Sequence, residues 1–143
     1  NGNGTVKVRI SNYNNDIADN DLITKVKNRI EQANGRPVGA NVTVESFIKK
    51  NISIAVSVIL SQGVELNSVS NLITAKIRQQ IKNSTVLYTI NNQEILSVNR
   101  IEKIVLSVDG VEDCKVLINN DTKNITVDRN EMLNVIGVVI NEQ

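Results

Sequence analysis

Residues 52–60 read ISIAVSVIL, and their alternation decides the fold. Ile52, Ile54, Val56 and Val58 make one clean apolar face. Ser53, Ala55 and Ser57 make the other, small enough to be covered by a packed element. This pattern predicts a strand with one face bound for a core. Just upstream, NVTVESFI at 41–48 alternates Val42, Val44 and Ser46 against Thr43, Glu45 and Phe47. Lys49-Lys50-Asn51 separates the two stretches. The sequence leaves open a hairpin or one long bent strand crossing between two units.

Outward from this pair, helical periodicity appears on both sides. Residues 22–33 place Leu22, Ile23, Val26, Ile30 and Ala33 on one face, with Asp19 or Asn20 as cap and Asn34-Gly35 as stop. Residues 68–82 repeat Val69, Ile73, Ile77 and Ile81 at every fourth position, with Asn67 or Ser68 as cap. A shorter helix is expected over 99–108, on Ile101, Ile104, Val105 and Val108. Asn99 and Glu102 would form a capping box, with Gly110 as a C-terminal cap residue. Strands are expected at TVKVRI (5–10), at VLYTI (86–90) before an Asn91-Asn92 turn, and at Cys114, Val116 and Ile118. Asn120-Asp121 would turn the chain so that ITV (125–127) returns as a hairpin. VIGVVI (135–140) closes the series, with Gly137 marking a bulge or a close backbone approach.

The fold class that follows is α+β: two small strand–helix–strand units, mixed sheets with helices packed on one face. Residues 1–49 would form an N-terminal β-α-β unit belonging to the middle of a longer protein, and 50–143 a C-terminal α+β unit. The chain begins at Asn1 and not at Met, which reads as a piece of something longer.

Composition narrows function mainly by exclusion. Among 143 residues, 16 Lys and Arg face 15 Asp and Glu, for a net charge of +1, so no basic excess points to nucleic acid. Basic residues Lys25, Lys27, Arg29, Lys76, Arg78 and Lys82 read as solvated helix faces. Histidine and Trp are absent, and the aromatic residues are Tyr13, Phe47 and Tyr88. The commonest general base and the commonest metal ligand are thereby missing. The single cysteine, Cys114, reads as a buried free thiol, since a nucleophile needs an activating base. Asp16, Asp19 and Asp21 could offer oxygen ligands to calcium, but they lack EF-hand spacing, and a polar loop with a helix cap explains them. Asn119-Asn120-Asp121 is explained by a hairpin tip. No Gly-rich phosphate loop or GxSxG elbow is present. Six Asn-x-Ser/Thr sequons, at Asn3, Asn41, Asn51, Asn83, Asn120 and Asn124, are what chance supplies among 22 Asn. No run is apolar and long enough to span a bilayer. The reading assigns no catalytic, cofactor-binding or metal residue, and expects no small-molecule substrate, nucleic acid or membrane partner.

Six stretches then matter in their order: TVKVRI, LITKVKNRIEQ, RPVGANVTV, NISIAVSVIL, NRIEKIVLSVDGVEDCKVLIN and MLNVIGVVI. This succession resembles the C-terminal part of the baseplate J-like family. These are baseplate wedge proteins of tailed phages and of phage-tail-like particles such as defective prophages. The most specific pieces are RPVGANVTV and the VDGVEDCKV junction. The resemblance implies a structural, non-enzymatic part of a contractile tail. It would be assembled in the bacterial cytoplasm through contacts with other wedge and tail proteins, a second copy of the chain being one candidate. Small ferredoxin-like regulatory or ligand-binding modules share the same strand–helix grammar and stand as the alternative.

Overall fold

A computed structural model describes residues 4–32 and 40–143. The expected Asn34-Gly35 stop and the RPVG (36–39) that opens RPVGANVTV lie outside them. The architecture is α+β, with elements in the order β1 (Thr5–Ile10), α1 (Asn20–Gln32), β2 (Asn41–Ser46), β3 (Ile48–Leu60), α2 (Leu66–Lys82), β4 (Leu87–Ile90), β5 (Gln93–Leu96), α3 (Val98–Leu106), β6 (Val111–Ile118), β7 (Ile125–Val127) and β8 (Glu131–Glu142). Two compact units are formed, Asn1–Lys49 with Asn130–Met132, and Lys50–Arg129 with Leu133–Gln143.

In the first unit β1 and β2 pair in parallel, Val6 beside Val42 and Val8 beside Val44. A parallel pair needs a crossover, and α1 supplies it. Asp19 caps the helix: its Oδ1 accepts the Leu22 N–H at 2.8 Å. No α1 side chain is fully buried, so the stripe Leu22, Ile23, Val26 and Ile30 is only half covered. Across the sheet, Glu45 receives Arg9 at 2.9 Å and Lys7 at 3.4 Å.

In the second unit the sheet order is β6-β3-β8, and a smaller sheet runs β4-β5-β7. β3 and β6 are antiparallel, with Ala55 opposite Leu117 and Ser57 opposite Lys115. β3 and β8 run the same way: Asn134 bonds Asn51 side chain to side chain near one end, and the Gln143 N–H donates to the Val58 carbonyl at the other. Ile52, Ile54, Val56 and Val58 are buried with Ile73 and Ile77 of α2, Ile101 and Val105 of α3, and Val116 and Ile118 of β6. Helix periodicity and strand alternation thus meet in one aliphatic core.

Several expectations are corrected. Of the two readings left open for 41–60 only the hairpin is excluded: β2 and β3 are separated by Phe47 alone and belong to different sheets, and Lys49-Lys50-Asn51, expected to separate the stretches, continues β3. ITV does not return against β6. The turn sits at Asn119-Asn120, both at positive φ (51° and 62°), and closes only on Asp121. β7 instead pairs with β5, Leu96 opposite Ile125. The α3 cap is Ser97 and not Asn99: its Oγ accepts the Arg100 N–H, while Glu102 accepts the Val116 N–H of β6. α2 starts at Leu66 with Glu65 as N-cap, and no side chain caps it. β5 follows the Asn91-Asn92 turn, whose two residues both have positive φ (51° and 63°), the geometry of a type I′ hairpin.

Candidate functional site

The surface of the second unit is decided by how β8 lies. Leu133 and Val135 pack against the core, and so do Val138 and Ile140. A regular strand cannot point 135 and 138 the same way, because side chains alternate with period two. One extra residue is therefore inserted at Ile136-Gly137. The pairing agrees: Asn134 lies 83 positions beyond its partner Asn51, whereas Gln143 N–H reaches Val58 O, which sets 142, 84 positions on, opposite 58. This is the bulge expected at Gly137. The other expected role, a close backbone approach, is absent, since a Cβ built there meets nothing within 4 Å.

The bulge turns Ile136 and Val139 outward, where they are 62% and 57% exposed. Beside them on the outer face lie Ser53, Ala55 and Ser57 of β3, then Leu117 and Lys115 of β6. Small side chains on the middle strand and larger ones on the flanks make a shallow trough with a floor of serine and alanine. β8 is also an edge strand. From Met132 to Asn141 it carries no charge and no Pro, two of the means of discouraging edge pairing; a third, the bulge, is present at Ile136-Gly137. One of its carbonyls, at Val135, accepts the Arg78 guanidinium at 2.9 Å.

Elsewhere the polar residues singled out in the sequence are held apart. Asp16 accepts from Lys49 at 3.1 Å, Asp19 caps α1, and Asp21 accepts from Lys25 at 2.6 Å. Lys76 donates to the Ser107 carbonyl. Among the described residues, no three His, Cys, Asp or Glu side chains are grouped to hold a metal ion. No helix among them is long and apolar enough to cross a membrane. The Cys114 Sγ is half-buried, 3.6 Å from the Glu102 carbonyl. Burial, with Glu102 and Asp113 adding to it, pushes the thiol up to about 11, opposite to what a nucleophile needs. A groove of about 90 Å³ opens between α1 and β2, lined by Lys27, Ile30, Glu31, Asn41, Val42 and Val44. It is open and well short of an ordinary ligand pocket.

Sequence reading did not foresee a polar latch on the small sheet. The Arg100 guanidinium lies 5.4 Å from the centre of the Tyr88 ring and donates to the Thr85 and Leu87 carbonyls. Asn124 donates to the Tyr88 hydroxyl and accepts the Val98 N–H at 3.0 Å. No local signal announces it, because Asn124 lies 26 residues from the helix end it caps.

Two family models match the chain in succession. A baseplate J-like central domain covers residues 1–46, and a baseplate J-like protein C-terminal domain covers 52–141. Among curated proteins of Bacillus subtilis (strain 168), the chain is 31% identical to the uncharacterized protein YqbT. It is 30% identical to the phage-like element PBSX protein XkdT. Both alignments include the whole of this chain and 41% of the relative, so the chain spans about two fifths of the length of the curated relatives it matches.

Proposed function

Because the chain belongs to the baseplate J-like family, we propose that it is part of a structural component of a phage or phage-like tail baseplate, built into the wedge by protein–protein contact. The observation that carries this reading is the succession of the two family domains over residues 1–46 and 52–141. The surface adds support of a physical kind. An edge strand that is uncharged between its terminal glutamates and turns two apolar side chains outward suits side-chain contact with another protein chain. We read residues 1–49 and 50–143 as two domains of a longer protein that assembles in the bacterial cytoplasm.

The reading is non-catalytic. The sequence has no His, its one thiol is held protonated, and its loop carboxylates serve as a cap and as ion-pair partners. The partners proposed are other wedge and tail proteins, a second copy of the chain among the candidates. The test is immunogold electron microscopy of purified tail particles with antibody raised against this chain. Label at the baseplate end of the tail is expected. Label absent from the particles, with the protein free in the cell, would overturn the proposal.

A further inference from the structure

We draw no further inference here: the strongest candidate, the outer face of the β6-β3-β8 sheet around Ala55, Leu117, Ile136 and Val139, belongs to the surface already described, and nothing in the structure shows what covers it.

Discussion

The two units differ most in what they bury. Among the described residues, the first hides only Ala18, Ala40 and Val44, each small or medium-sized. The second hides a continuous cluster that runs from Ile52 through Ile73, Ile77 and Ile101 to Val127. Burial of apolar area is the main favourable term in folding, so the second unit holds most of the stability. A two-stranded pair with one half-covered helix is marginal by itself. The comparison teaches that one sequence style, rich in Ile and Val throughout, yields a self-sufficient core in one place and a lean one in another. What differs is how many elements close on the sheet: α1 alone over two strands in the first unit, α2, α3 and the edge of the small sheet over three strands in the second.

The largest expected effect tests that contrast directly. Ile77→Ala, at a fully buried position, should cost about 2–5 kcal/mol in urea unfolding. Val44→Ala in the first unit should cost about 1–2 kcal/mol, from roughly two carbons of lost burial. Equal losses at the two positions would break the comparison.

Glycines sharpen it next. Gly110 has φ +91°, and a Cβ there would sit 3.0 Å from both methyls of Val64. Gly110→Ala should therefore lose at least ~1–2 kcal/mol from the left-handed backbone, with the clash added. Gly137→Ala meets open space and should stay within ~0.5 kcal/mol of wild type. Thermal or urea melts of the two variants decide whether the bulge needs a glycine.

The capping latch comes third. Ser97→Ala should cost about 1 kcal/mol. Asn124→Ala should cost about as much or more, since it frees both the Val98 N–H and the Tyr88 hydroxyl. A silent Asn124→Ala would mean that the small sheet is not pinned to α3 in this way.

The last test is on pH. The folded chain holds the Cys114 thiol up at about 11, against an ordinary 9.0. A group with a raised folded pKa contributes stability that is fully present below the unfolded value and fades as pH rises through the folded one. The window is thus about pH 9 to 11. Iodoacetamide alkylation should keep accelerating through pH 9 in the folded protein but level off near 9 in urea. The same plateau in both would contradict the burial of this thiol.

These contrasts also explain what the sequence could and could not tell. The β3 face and the α2 stripe were legible because each pattern is local and unbroken: Ile52, Ile54, Val56 and Val58 at period two, Val69, Ile73, Ile77 and Ile81 at steps of four. Pairing was not legible where it is long-range. Nothing near Ile125 says that its strand joins β5 and not β6. β5 itself, QEIL, is too short and too polar to announce a strand. Caps were misjudged where two acceptors stood close together, Ser97 and Asn99. The candidate surface was half legible. Ser53, Ala55 and Ser57 read as a face small enough to be covered by a packed element, and no helix of their own unit covers it, since both pack on the opposite side. VIGVVI read as one apolar run because a single inserted residue changes parity without changing composition. Only the paired strand reveals that Val135 and Val138 point in while Ile136 and Val139 point out.

The proposed function is contact with other tail proteins, and the face that the bulge of β8 turns outward is the surface that proposal offers for it. Its most direct test is tail-particle assembly in a host whose copy of the protein carries Ile136→Asp and Val139→Asp together, with Leu72→Asp on α2, about half exposed, as the control. All three positions are about half open or more, so folding should change by about 1 kcal/mol per substitution, similar for the β8 positions and the control. The account expects the β8 pair to leave a folded protein outside the particles while the Leu72 variant assembles normally. Particles that assemble at wild-type yield with the doubly substituted protein in their baseplates would contradict it.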